Sequence, residues 1–348
     1  MTKNLSLVSV LILTYNRTDL LKQALDAALK SDYPNLEFII SDNASEEDIA
    51  EFIKKNYPKK DVKVFKKKIN GGLTGGFNFG YKYCKGKYVM LLCNDTKITR
   101  PSISIMVKMM EEDEEIGAMA PKVTQMTNPR FIHSAGSFLT YSGLLYHFGV
   151  YQKDGPKYRK SYYVFSTTGA GFLVRSETIR KSGLYSEDFF MAYDESDLCH
   201  RIWLSGYTIV YCPKAEVKHL WAATQDPGKP VVWFWNQRNI VSSFLANFSL
   251  PYLILMLFNV NLAFWFWFFV RISRGQIGHS QTLLQAYIWH IFHIKRTLAR
   301  RRYVQEKIRQ VSDEEIFRKA MVNPDWKYYL IHFGRKYQES NLPERILY

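Results

Sequence analysis

The strongest constraint on this chain is an alternation that fills its N-terminal quarter. Residues 7–13, 36–40, 62–65 and 88–92 are short, largely apolar runs. Between them the spacing changes. Leu20, Leu21, Leu25, Ala28 and Leu29 recur at helical intervals after Thr18, which is placed to cap that helix. A polar helix runs to about Asn56, and the glycine-rich turn Asn70-Gly71-Gly72-Leu73-Thr74-Gly75-Gly76 leads into another near residues 77–83. Strands alternating with helices predict an α/β domain around a mainly parallel sheet. In such a sheet ligands bind at the carboxyl ends of the strands. Those ends carry Thr14-Tyr15-Asn16-Arg17, Ser41-Asp42-Asn43-Ala44-Ser45 and Cys93-Asn94-Asp95-Thr96.

Further along, residues 119–165 are less regular, with Gly136, Gly143 and Gly149 marking turns, and are expected to be strands and loops covering the site. Ser166-Thr167-Thr168-Gly169-Ala170-Gly171 opens a second unit, and residues 207–211 and 215–219 are expected to form two strands. No internal repeat or low-complexity tract is visible.

With 348 residues, 47% of them hydrophobic, the chain suits one large domain or two with a sizeable core. A net charge of +15 calls for an anionic partner: nucleic acid, an anionic membrane or a phosphorylated substrate. Much of that charge sits in residues 59–68 and after the long apolar tract, not on a face interleaved with base-stacking aromatics, so nucleic acid is not expected. The four cysteines, Cys84, Cys93, Cys199 and Cys212, have no metal-site spacing and suggest a reducing compartment. Residues 1–6 lack the apolar stretch of a secretory leader.

From Asn239 to Val270 no residue is charged, and residues 250–270 as a helix would be about 31 Å long, enough to cross a hydrocarbon core. Pro251, Asn259 and Asn261 interrupt it as a simple span. Leu283, Leu284, Tyr287, Ile288, Ile291 and Ile294 then recur at helical spacing beside Lys295, Arg296 and residues 300–302, a basic amphipathic helix suited to an anionic bilayer. A single crossing would put these basic residues on the far side from the N-terminal domain, so a hairpin or an in-plane helix pair is the expectation.

The chemistry centres on Phe189-Phe190-Met191-Ala192-Tyr193-Asp194-Glu195-Ser196-Asp197. Like charges this close raise one another's pKa, a cost that fits groups meeting a cation or a substrate proton. The local alternative is an acidic helix N-terminus favoured by the macrodipole. Asp197, one helical turn before Arg201, is expected to form an ion pair with it.

These pieces, in this order across residues 5–240, resemble the family 2 glycosyltransferases of GT-A fold, and within them enzymes that add rhamnose or related sugars to lipid-carried bacterial surface polysaccharides. The resemblance implies a nucleoside-diphosphate-sugar donor, dTDP- or UDP-linked, met by Thr14, Tyr15, Asn16, Arg17, Asp42, Asn70, Gly71, Gly72, Asn94, Gly169 and Gly171. Asp42 would accept from a pyrimidine ring N–H, and could otherwise be a turn residue. It implies a divalent cation, Mg²⁺ or Mn²⁺, held by Asp95, the last position of the family's metal motif, and by His219. Here the motif reads Cys93-Asn94-Asp95 and retains one carboxylate.

Glu195 is the implied general base, with Asp194 orienting the acceptor; the family order Glu-Asp is exchanged here, and Asp194 is the alternative base. Arg238 could meet the diphosphate of a lipid-linked glycan acceptor or serve structurally. The reading is an inverting transferase with a GT-A domain over residues 1–238 and a membrane-association region over residues 239–348. It would sit on the cytoplasmic face of a membrane, with homo-oligomerisation left open. The alternatives are a processive polysaccharide synthase, or a catalytically weak sugar-binding or scaffold subunit. Trp235-Asn236-Gln237-Arg238-Asn239 does not fit the QxxRW motif of such synthases.

Overall fold

The computed structural model describes residues 5–220, 228–330 and 342–348; the leader reading of the first residues therefore lies partly outside the described residues. Strands β1 (Val8–Thr14), β2 (Leu36–Asp42), β3 (Val62–Lys66) and β4 (Tyr88–Cys93) run parallel in the order β3-β2-β1-β4. Every residue of β1 is buried, because the sheet is covered on both faces. Alternate residues of β1 serve the two cores. Val10 and Ile12 pack with Leu21 and Leu25 of α1 (Thr18–Ala28) and Ile53 of α2 (Ile49–Asn56), whereas Leu11 and Leu13 pack with Phe77 of α3 (Gly72–Tyr81). Thr18 is the first helical residue rather than a cap. The carboxylate of Glu47 instead accepts from the backbone N–H groups of Arg17 (2.7 Å) and Thr18 (3.1 Å), satisfying donors that a helix N-terminus leaves unpaired.

The chain then forms β5 (Thr96–Ile98), α4 (Ser102–Glu112), β6 (Ile116–Gln125), β7 (Ile132–Ser134), β8 (Ser137–Phe138), β9 (Tyr146–His147) and β10 (Tyr162–Tyr163). After these come β11 (Gly171–Arg175), α5 (Ser176–Ser182), α6 (Asp194–Leu204) and β12 (Thr208–His219). The sheet continues from β4 through β11, β6 and β12 to β10. β11 is antiparallel to both β4 and β6, so the sheet is mixed beyond its parallel half. Gly171 lets β11 lie close to β4: a Cβ there would meet Leu92 Cδ2 at 2.8 Å and Leu91 O at 3.1 Å. The two strands expected over residues 207–219 are one, β12, whose register against β6 shifts between Cys212 and Glu216, around Pro213, which has no N–H to donate.

Strand order reverses between β1 and β4, the topology that opens a ligand crevice at their carboxyl ends. β12 delivers its own end to the same place, since His219 pairs with Thr96 of β5, next to Asp95.

The described residues that follow form α7 (Pro230–Asn247), α8 (Leu250–Ser273), α9 (Ile277–Phe292), α10 (Ile294–Tyr303), α11 (Asp313–Ala320) and the short α12 (Lys327–Leu330). The compositional change at Asn239 falls inside α7, whose C-terminal half is buried against α6, α9 and α10. The amphipathic helix read over residues 283–302 is two helices, broken at His293. Leu283 faces the core, while Leu284, Ile288, Ile291 and Ile294 are exposed.

Candidate active site

A cavity of about 460 Å³ opens at the ends of β1, β4 and β12. Its wall contains Tyr15, Asn70, Gly72, Asn94 and Asp95 from the N-terminal half, and Gly169, Asp194, Glu195 and His219 from the second half. The fold therefore gathers most of the residues singled out in the sequence.

Others of that set build the wall from behind. Thr14 is buried, donates to Asn16 O (3.1 Å) and accepts from Asn94 Nδ2 (3.0 Å), tying the loops after β1 and β4 together. Asn16 Oδ1 accepts the N–H of Glu46 at 2.8 Å, and Arg17 pairs with Asp19 at 2.8 Å on the surface. Asp42 is buried: Oδ1 accepts the N–H of Ser45 at 2.8 Å, while Oδ2 has no hydrogen-bond partner and lies 3.9 Å from Lys66 Nζ. Gly71 and Gly171 are not in the cavity wall. Nor is Arg238, which is buried between the rings of Phe234 and Trp289 and donates to Asp188 O at 2.9 Å.

The segment bearing the acids is held from two sides. Leu73 N–H donates to Phe190 O at 2.8 Å, and the Thr74 hydroxyl donates to Phe189 O. Gly72 has φ +68°, and a Cβ there would collide with Phe190 O, so the glycine-rich turn and the acidic segment can meet only through a glycine. From the other side, Asn239 Nδ2 donates to Met191 O (2.9 Å) and Ala192 O (2.7 Å). Ala192 and Tyr193 are both left-handed, with φ 69° and 59°, a costly turn that the clamp holds in place as the chain enters α6.

Asp194 and Glu195 then open α6. Burial pushes the Asp194 carboxyl well above the usual carboxylate range, with the neighbouring Glu195 adding to the shift. Burial also raises Glu195, but the backbone N–H groups of Glu195 and Gly169 and the Asp194 side chain favour its charged form. Both carboxyls are raised, Asp194 the more strongly. Asp197 differs. Burial alone would raise it, yet Arg300 and Arg201 hold it below the usual range. The expected pair with Arg201 forms at 3.2 Å, and Arg300 of α10 joins it at 2.5 Å.

At the opposite wall Asp95 Oδ2 lies 3.4 Å from His219 Nε2, and Asp95 Oδ1 and His219 Nδ1 are both buried without hydrogen-bond partners. Two hard or borderline donors with spare lone pairs fit a divalent cation. Among the described residues no group of three His, Cys, Asp or Glu side chains completes a metal site, so further ligands would have to be substrate or water oxygens.

Two wall residues had no role assigned from sequence. Asn43 accepts the N–H of Gly71 (3.0 Å) through Oδ1 and donates to Asn70 Oδ1 (2.8 Å) and Gly72 O (2.9 Å), shaping the glycine turn; its place beside Asp42 was the available signal. His133, on the short strand β7, lies in the wall with its ring 4.7 Å from that of His219. Burial, with His219 and His147 nearby, lowers its pKa to about 3, so it is neutral at physiological pH. An isolated histidine in an irregular stretch carries no sequence signal.

The fold is a mixed α/β scaffold of the GT-A type. Residues 9–180 match Glycosyl transferase family 2. The chain is similar to the Escherichia coli UDP-Glc:α-D-GlcNAc-diphosphoundecaprenol β-1,3-glucosyltransferase WfaP, 32% identical over 112 residues, covering 32% of this chain and 43% of that protein. It is also similar to the poly-β-1,6-N-acetyl-D-glucosamine synthase of Staphylococcus epidermidis, 25% identical over 211 residues, covering 60% of this chain and 48% of that protein. The chain spans less than half the length of these curated relatives. A solved mannosyltransferase from Pyrobaculum calidifontis, in complex with GDP-Man and Mn²⁺, shares the fold with a TM-score of 0.52 at 16% identity, covering 86% of this chain and 85% of its own.

Proposed function

We propose that this protein is an inverting glycosyltransferase that moves a sugar from a nucleoside diphosphate to a lipid-linked glycan at the cytoplasmic face of a membrane. The observation that carries the reading is the meeting, in one cavity, of buried Asp194 and half-buried Glu195 with the Asp95–His219 donor pair. Glu195 takes the proton of the acceptor hydroxyl as that oxygen attacks the anomeric carbon. The bond from that carbon to the diphosphate breaks on the opposite face, which inverts the centre. Asp194 orients the acceptor by hydrogen bonding. Asp95 and His219 would hold a divalent cation, Mg²⁺ or Mn²⁺, which when bound offsets the charge of the departing diphosphate. Tyr15 and the loop held by Thr14 and Asn16 border the nucleotide, and Asn70 and Gly72 border the donor. Arg238 acts on the acceptor side indirectly, by holding the segment at Asp188.

The donor is a dTDP- or UDP-sugar, with dTDP-rhamnose the first to assay, on the resemblance of the motif set to rhamnose-adding enzymes. The similarity to WfaP supports a diphosphate-linked lipid acceptor. The similarity to a polysaccharide synthase supports one competing reading, processive polymerisation. A donor panel with membrane lipid acceptors, with and without Mn²⁺ or Mg²⁺, tests the reading. Single-sugar products support it; long polymers favour the synthase; no turnover of any donor removes it.

A further inference from the structure

We infer that α8, α9 and the start of α10 form a docking face that lies in the plane of one anionic leaflet and does not cross the bilayer. The inference rests on the membrane assignment above and not on the transfer chemistry. α8 is long and apolar enough to span, at about 36 Å by helical rise. Its contacts nevertheless hold it along the body of the protein at both ends and in the middle. At the N-terminal end Asp313 accepts the N–H of Ser249 (2.9 Å) and Glu314 accepts from the Tyr252 hydroxyl (2.6 Å). Midway, Asn259 Nδ2 donates to Tyr141 O at 2.6 Å, and a Cβ on Gly143 would meet Val260 at 2.8 Å. At the far end the Arg271 guanidinium stacks 3.6 Å over the Trp233 ring of α7. A crossing helix would carry the Tyr141 loop and the rest of the domain into hydrocarbon, where unsatisfied polar groups are costly.

The face turned away from these contacts is apolar. Ile254, Phe258, Leu262, Phe266 and Phe269 are exposed on α8 at helical spacing, and Ile288, Ile291 and Phe292 are exposed on α9. Phe292 is 81% exposed, which water alone does not favour. The charge around the face selects the occupant. Residues 239–305 contain no Asp or Glu, and Arg274, Lys295 and Arg302 are exposed near the helix ends. An anionic headgroup layer complements this charge, whereas a second copy of the chain would oppose it with the same charges.

The full-length protein tests this in two arms. Flotation with phosphatidylglycerol-containing vesicles should recover most of the protein, and phosphatidylcholine vesicles several-fold less. A soluble dimer that ignores both vesicles would overturn the docking face. For orientation, Leu250→Cys at the start of α8 and Gln276→Cys in the turn after its end are labelled with a membrane-impermeant maleimide in sealed membrane vesicles, with Lys54→Cys on α2 marking the side of the N-terminal domain. Both ends should label from the Lys54→Cys side. Labelling of the two ends from opposite sides would show a span and refute the in-plane arrangement even where vesicle binding succeeds.

Discussion

Arg300, on α10, reaches across to Asp197 at 2.5 Å, just behind the Asp194–Glu195 pair. Arg201 holds the other oxygen of the same carboxylate, Oδ2, at 3.2 Å, and Asn247 Nδ2 donates to Oδ1 beside Arg300 at 3.1 Å. The C-terminal helices, through Arg300 of α10 and Asn247 of α7, thus also fix the first turn of α6.

Removing the Asp197 charge leaves two buried or half-buried guanidinium groups without their carboxylate. Asp197→Asn is expected to cost about 3–5 kcal/mol, read by urea unfolding at pH 7. The sign with pH follows from the lowered carboxyl: its stabilisation is present above the unfolded-state Asp pKa and is lost as pH falls through the folded value. The gap between wild type and Asp197→Asn should therefore be widest near neutrality and narrow in acid. A gap independent of pH would contradict the ion-pair account.

Arg300→Met should reduce kcat while leaving KM for the donor close to wild type, because Arg300 touches α6 and not the cavity wall. Steady-state kinetics at several donor concentrations separates the two parameters. A rise in KM alone would place the effect in donor binding.

The acid limb of activity should lie above that of an ordinary glutamate, since burial raises Glu195. Activity rises with pH as Glu195 loses its proton. Asp194→Ala removes a hydrogen bond that favours the ionised Glu195, so its acid limb should move to higher pH; Asp194→Asn, which can still donate, should move it less. A pH profile of kcat/KM for the three proteins decides this, and an unmoved limb in Asp194→Ala would contradict the pairing.

Gly72→Ala should destabilise the fold by about 1–3 kcal/mol, from strain at positive φ and the clash with Phe190 O. Because that contact joins the glycine turn to the acidic segment, donor binding by calorimetry should weaken together with the melting temperature. Gly75→Ala is the control: its Cβ would meet only Lys67 Nζ at 3.9 Å. Equal losses in the two variants would remove the special role of Gly72.

The parallel half of the sheet and its loops were legible because apolar runs this short, bounded by polar turn residues, suit buried strands, and the Asp197–Arg201 pair because its spacing is one helical turn. What escaped was long-range. β11 joins the sheet antiparallel through five residues, a length too short to signal direction. The Arg300 contact spans 103 positions, and nothing local to either residue announces it. His133 and the split at His293 depend on tertiary packing rather than periodicity. The boundary at Asn239 tracked a real change in composition, but α7 crosses it, and Asn239 itself clamps Met191 and Ala192. Truncation there would remove part of the catalytic support together with the apolar face.

The central claim is that Glu195 is the base. Single-turnover transfer by Glu195→Gln, with donor affinity measured on the same preparation, tests it most directly. The account predicts unchanged donor binding and a transfer rate reduced by about 10²-fold to 10⁴-fold. Transfer at the wild-type rate with donor bound would contradict it and move the role to Asp194.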